Sequence, residues 1–285
     1  MKKIKISIPL STANLACGFD TFALALDLCN EYTFETSDEY SLVGFLEKYN
    51  NPNNMCLNAY KKTFSLLGKE EIKVKISIFQ HIPNCGGLGS SSNVILAGVS
   101  AAYYFIKGHV DKDEILKIAC EIEGHPDNVL AEVYGGLTSA VKCDEEIKYF
   151  QYDVSEELIF TLLIPPFSLN TSQMRACLPK EVSMKDAVYN ISRASNLVYA
   201  LKEARLDDLV YLMDDKLHQN YRIDKIKGAK SVETYAKKHN IAFAISGSGA
   251  SLLLVSKKRI KDNFDGFEKK ELKVNNEGLI LYEEN

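Results

Sequence analysis

Pro83-Asn84-Cys85-Gly86-Gly87-Leu88-Gly89-Ser90-Ser91-Ser92 is the segment on which the reading of this chain turns. Before it, Ile72, Val74, Ile76 and Ile78 alternate with Lys73, Lys75 and Ser77, which predicts a strand. After it, an apolar helix is predicted to about Ile106. The three glycines remove Cβ atoms, so backbone N–H groups can close around an anion. The helix start adds unpaired donors and the positive end of its dipole. The serines supply hydroxyls to a phosphate or to a hard cation. No charged residue lies between Ile82 and Ile106. Such a loop would bind by backbone geometry and dipole. Spacing alone leaves a second reading open: a Gly/Ser turn that starts a core helix.

Competing phosphate motifs fail in detail. Walker A ends in Gly-Lys-Ser/Thr, and no lysine is here. The dinucleotide fingerprint needs a third glycine where Ser92 stands. The G-x-S-x-G elbow is absent at Ser90, Ser91 and Ser248.

Composition bounds the rest. The 285 residues suggest about two domains. A hydrophobic content of 46% with 25% charged residues is ordinary for a globular chain and excludes disorder or coiled coil. The net charge of −4 offers no basic excess for a nucleic-acid backbone, so no nucleic acid is expected as partner. The longest strongly apolar uncharged run, Val94–Ile106, falls short of the roughly 20 residues of a membrane span, so no membrane is expected either. The N-terminus alternates instead of building a signal segment. Seven scattered cysteines without CxxC read as reduced packing residues of a cytoplasmic protein. The five histidines show no zinc spacing.

Ile4, Ile6 and Ile8 predict an N-terminal strand, and Asp111–Glu123 a helix with Ile115, Ile118 and Ile122 on one face. Leu158–Ile164 reads as a strand stopped by Pro165-Pro166. Helices are expected at Met184–Leu201, Asp207–Leu217 and Ala229–Lys238, and strands at Ile241–Ile245 and Ser251–Val255. Glu271–Val274 and Leu279–Tyr282 would close as a hairpin over Asn275–Gly278. Strands and helices mix without strict alternation, which favours α+β. The domain boundary falls near 150–157, giving 1–155 and 156–285.

The P-x-x-x-G-L-G-S-S pattern between strand and helix resembles the ATP loop of the GHMP kinases (galactokinase, homoserine kinase, mevalonate kinase and phosphomevalonate kinase). Pro9-Leu10-Ser11-Thr12-Ala13-Asn14-Leu15-Ala16-Cys17-Gly18-Phe19-Asp20 resembles the family's N-terminal substrate motif, and Ser246-Gly247-Ser248-Gly249-Ala250-Ser251 its third, Gly-rich motif. The segments Ser11–Asp20, Glu123–Val129, Thr171–Pro179 and His218–Arg222 resemble the members that phosphorylate homoserine. The chain departs from the common pattern at Ala16-Cys17, Ser92-Asn93 and Ala250, which bears on loop detail.

The resemblance implies a two-domain GHMP kinase fold. Its N-terminal α/β domain would carry a left-handed βαβ crossover and bind ATP, and its C-terminal domain would be ferredoxin-like. It implies ATP, Mg²⁺ and L-homoserine as ligands. A mevalonate-type kinase is the alternative within the fold, and a nucleotide-sensing protein without chemistry is the alternative outside it. The ATP contacts implied are Asn54, Pro83, Asn84, Cys85, Gly86, Gly87, Leu88, Gly89, Ser90, Ser91, Ser92 and Asn93. The metal would take Ser91, or Ser90, and Glu123, with Glu121 as substitute. Substrate contacts would be Asn14, Asp20, Thr171, Arg175, Arg222 and Gly247, the arginines because guanidinium pairs carboxylate bidentately. Asn128, Asp20 and His125 would stand at the reacting end, with Asn128 where other members carry an Asp base. His125 on its own reads more readily as a hydrogen-bonded structural residue. A homodimer is the base-rate expectation.

Overall fold

A computed structural model describes residues 2–83, 85–143 and 146–284. The first part runs β1 (Lys3–Ala13), β2 (Phe22–Thr36), β3 (Ser41–Val43), α1 (Met55–Leu66), β4 (Val74–Phe79), α2 (Ser90–Lys107), α3 (Lys112–Glu123), α4 (Pro126–Tyr134), β5 (Leu137–Cys143) and β6 (Glu146–Tyr152). The second runs β7 (Ile159–Ile164), α5 (Thr171–Ala176), α6 (Met184–Lys202), α7 (Leu206–Leu212), α8 (Gln219–Arg222), α9 (Ala229–Lys238), β8 (Ala242–Ile245), β9 (Leu252–Ser256), β10 (Glu268–Leu272) and β11 (Ile280–Glu284).

Strands β11-β1-β2-β4-β3 form one sheet, which β5 and β6 extend from β2. Ile4, Ile6 and Ile8 point inward from β1 and meet Tyr60, Phe64, Leu96 and Val99 of α1 and α2. The second sheet has the order β10-β7-β9-β8, every neighbour antiparallel. That is the strand order of a split β-α-β, ferredoxin-like sheet. No helix connects β9 to β10 among the described residues.

Two expectations are corrected. The end of the chain is not a hairpin: β10 pairs with β7 of the second sheet, whereas β11 pairs with β1 of the first. Between them, Asn275 accepts from Gly136 N and donates to Ala25 O, so the segment crosses from one sheet to the other. Residues 156–285 are therefore not confined to the second sheet. The helix expected over Asp207–Leu217 ends at Leu212. The cause is Asp215, whose buried carboxylate accepts from the backbone N–H groups of Leu217, His218 and Gln219 and so competes with helical hydrogen bonding.

Candidate active site

Four helices begin on side-chain caps: α1 on Asn54, α3 on Asp111, α5 on Asn170 and α6 on Ser183. Helix α2 begins on Gly89 at φ 67°, with no side-chain cap. Its first-turn donors are left for something else. The glycines before it are required by close approach. A Cβ on Gly86 would strike Gly249 O, one on Gly87 would strike Ser246 O, and one on Gly89 would strike the Ser11 hydroxyl and the Glu132 carboxyl. Ser246 Oγ lies 2.8 Å from Thr12 Oγ1 and 2.5 Å from Gly87 O. Gly247 N donates to Ala13 O at 2.9 Å. The three Gly/Ser motifs, distant in sequence, thus pack backbone to backbone around the start of α2.

After β1 the chain reverses through three non-glycine residues with left-handed φ: Asn14 (54°), Ala16 (51°) and Asp20 (49°). Such conformations cost on the order of 1–3 kcal/mol each and persist only where surroundings enforce them. Here Asn14 Oδ1 accepts from Asp20 N at 2.8 Å. Arg175 Nη2 contacts both Asp20 oxygens, at 2.7 and 2.9 Å. The Arg175 and Arg222 guanidinium carbons lie 5.5 and 5.4 Å from the Phe19 ring centroid.

Arg222 is only 1% exposed. Its Nη1 donates to Gly247 O at 3.2 Å and lies 3.1 Å from His218 Nδ1. His218 Nε2 is 2.8 Å from Ala16 O. A carbonyl only accepts, so the proton sits on Nε2 and Nδ1 accepts from Arg222. Burial pushes the His218 pKa down, and Arg222 adds to this against the pull of Asp215. The neutral tautomer follows from both. Thr171 Oγ1 lies 3.2 Å from Ser248 Oγ, tying α5 to the third motif.

Helix α4 faces the loop with a polar row. His125 precedes it at the exposed N-cap. Asp127 is buried, and its Oδ1 accepts from Asn128 N at 2.9 Å. Burial pushes the Asp127 carboxyl up. Asn128 Oδ1 accepts from Ser11 Oγ at 2.9 Å. Ser91 Oγ donates to Glu123 Oε2 at 2.9 Å, while burial pushes Glu123 up.

Residues 54–136 match the model of the GHMP kinases N terminal domain. The homoserine kinase of Clostridium botulinum is 32% identical over 98% of this chain and 98% of its own length. That of Clostridium acetobutylicum is 37% identical, covering 88% of this chain and 87% of its own. The chain belongs to the homoserine kinases of the GHMP family. In fold, a solved homoserine kinase from Cytophaga hutchinsonii superposes with a TM-score of 0.83 at 24% identity, covering 98% and 97% of the two chains. The mevalonate kinase of Methanococcus jannaschii gives 0.71 at 17% identity, covering 95% and 98%. Family membership makes the chain an ATP-using kinase.

Against this GHMP kinase frame, the residues expected at the site divide. Gly86, Gly87, Gly89, Ser90 and Ser91 surround the start of α2, and Asn14, Asp20, Arg175, Arg222, Thr171 and Gly247 meet across from it. Others face elsewhere. Asn93 is buried and bonds Tyr32 and Pro9 O, fixing α2 to β1 and β2. Cys85 turns its sulfur to the Pro165 and Phe167 carbonyls, and Leu88 is fully in the core. Ser92 Oγ points to Gly89 O and Glu132. Pro83 borders a depression beside Phe167. Asn54 uses its amide on Leu57 N and Tyr49 O, and it lines a cavity of about 200 Å³ that reaches Ser90 and Ser91. Asn84 lies outside the described residues. Glu121 is exposed, and it is Glu123 that meets Ser91.

Sequence reasoning missed Asp215 and Glu132 as supports. Asp215 holds His218 N and Asn190 Nδ2, each at 2.7 Å. Glu132 is fully buried against Ser11 and Ser92. A lone acid in the apolar run Val129–Val133, one helical turn after Asn128, was a legible signal.

Proposed function

We propose that this kinase transfers the γ-phosphoryl group of ATP to the side-chain hydroxyl of L-homoserine, giving O-phospho-L-homoserine and ADP. One observation carries the reading. An uncharged, uncapped helix start ringed by glycine backbone adjoins a cluster of two guanidinium groups and one carboxylate. The first suits a triphosphate. The second suits a substrate with a carboxylate and an ammonium.

In this reading the Gly86–Gly89 backbone and the first turn of α2 cradle the phosphates. The cavity beside Asn54, Tyr49 and Val94 takes the adenine. Arg175 and Arg222 hold the substrate carboxylate, and Asp20 and Asn14 its polar end. Ser91 and Glu123 fit a divalent metal: a hydroxyl and a carboxyl in contact form a hard oxygen pair. Bound there with ATP, Mg²⁺ would neutralise phosphate charge. The new O–P bond forms as the bridging Pγ–O bond breaks, and the hydroxyl proton leaves to phosphate or water. No carboxylate base is required, because the loose transition state asks mainly for in-line positioning and charge neutralisation. Asn128, at the loop-facing side of α4, is the residue we place nearest the transferred group, with His125 orienting substrate from the helix start.

We further propose a division into an ATP-binding part, 1–155, and a second part, 156–285, with β11 returning to the first. Among the described residues no helix is long and apolar enough to cross a membrane. Free thiols at Cys17, Cys56, Cys85 and Cys120 support a reducing, cytoplasmic setting. Exposed Met184, Val188 and Ile191 on α6 support self-association as a homodimer, which sedimentation would read.

An ADP-release assay with homoserine, threonine, serine and mevalonate in parallel tests the reaction. Turnover of homoserine above the others is the expected result. Turnover of mevalonate without homoserine would overturn it.

A further inference from the structure

Glu132 is fully buried on α4, four residues after Asn128 and on the same face. Its Oε1 lies 2.6 Å from Ser11 Oγ and 2.9 Å from Ser92 Oγ. Each serine also contacts an oxygen that can only accept: Ser11 Oγ lies 2.9 Å from Asn128 Oδ1, and Ser92 Oγ 2.7 Å from Gly89 O. These are two serine hydrogens for four short contacts. An ionised carboxylate would claim the Ser11 hydrogen and leave lone pairs facing each other at Asn128. A protonated carboxyl donates to Ser11, and Ser11 then donates to Asn128. Burial pushes the Glu132 pKa well above the ordinary carboxylate range, and Glu123 and Asp127 push it the same way, against hydrogen bonds from Ser11 and Ser92.

The amide of Asn128 has two distinguishable edges. Its oxygen faces Ser11, and its Nδ2 has no partner among the described residues. We propose that Glu132 is a positioning residue, whose protonated carboxyl acts through Ser11 to hold the Asn128 amide with its oxygen inward and its NH₂ presented to the transferred phosphoryl group. The same carboxyl also touches Ser92, in the first turn of α2, which fixes the acid in place. The inference rests on the proposed place of Asn128 beside the reacting atoms.

The test uses Glu132→Met, Glu132→Gln, Ser11→Ala and Asn128→Ala in the full chain, with Mg·ATP and homoserine. Glu132→Met should lower kcat about 10- to 100-fold with little change in the KM for ATP, as expected for a misplaced group at the reacting end. Glu132→Gln, which supplies an N–H in place of the acid O–H, should stay within about threefold of the wild type. Ser11→Ala breaks the relay while keeping the acid at position 132 and should reproduce the loss, which covers a failure of Glu132→Met to fold. In an Asn128→Ala background, Glu132→Met should add nothing. An unchanged kcat in Glu132→Met and Ser11→Ala, or the same extra loss without Asn128, would overturn the inference. The Asn128 side-chain amide resonance, identified by its absence from Asn128→Ala, separates the two layers. If Asn128→Ala turns over normally, the placement of Asn128 falls. If the resonance does not move in Glu132→Met or Ser11→Ala, the positioning role falls.

Discussion

Arg175 and Asp20, 155 residues apart, are joined through one guanidinium nitrogen at 2.7 and 2.9 Å, linking α5 to the bend after β1. Both side chains are over 40% exposed, so the pair contributes only about 0–1 kcal/mol to the fold. Its placement matters more. A substrate carboxylate approaching Arg175 competes with Asp20, and an ammonium then meets the released acid. Arg175→Ala should therefore weaken homoserine binding by about 2–5 kcal/mol, read as a raised KM for homoserine. The KM for ATP should hold, and Tm should move by no more than about 3 °C. An unchanged homoserine KM would contradict the clamp.

Arg222 predicts a different pattern, because it is buried where Arg175 is not. Its guanidinium supports Gly247 O, Met174 O and His218 Nδ1. Arg222→Ala orphans these acceptors at about 1–3 kcal/mol for each one left unpaired. Thermal melting should show a clear fall in Tm alongside the loss of homoserine affinity. Arg222→Met should recover packing in part and affinity not at all. A variant with native Tm and native KM would remove Arg222 from both roles.

Much of this was legible from residue order. The Gly86–Ser92 spacing named the helix start, and strand alternation at Ile4–Ile8 and Val74–Ile78 gave the two strands that flank β2 in the first sheet. What escaped depends on long-range pairing. Nothing local tells Ile280–Glu284 to cross to β1, since register is decided by which sheet has an open edge. Asn93 and Cys85 looked like loop contacts because they sit inside the motif. Helical rotation turns Asn93 onto Tyr32 and Pro9 instead. Asp215 shows the reverse case. Its role is set by Asn190 and by three backbone donors, which no pattern in the segment announces.

Ser91 and Glu123 predict the behaviour of the metal. Glu123 is pushed up by burial, and Ser91 partly offsets this by donating to it. A divalent cation favours the ionised form and would replace that donor. Glu123→Gln should raise the Mg²⁺ concentration for half-maximal activity by about tenfold or more, with Ser91→Ala smaller in the same direction. Glu121→Gln, on the exposed side of α3, should leave that titration where it is. Titrating Mg²⁺ at fixed ATP decides between the two acids.

Glu132 also predicts how stability follows pH. Burial is the main cause that raises its carboxyl in the folded protein, with Glu123 and Asp127 acting in the same sense. In the unfolded chain the group titrates near its ordinary value of about 4.3. Below that value both states hold the proton, and the buried acid's contribution to stability is fully present. Above it the unfolded chain ionises first, so stability is lost as pH rises toward the folded value. Glu132→Gln removes the titration and keeps the shape. Denaturant unfolding of the two proteins should then give similar stabilities near pH 4. The Gln variant should gain over wild type as pH rises toward neutrality. A constant difference between pH 4 and 7 would mean that Glu132 carries the same charge folded and unfolded, contrary to its surroundings of Ser11, Ser92 and apolar side chains.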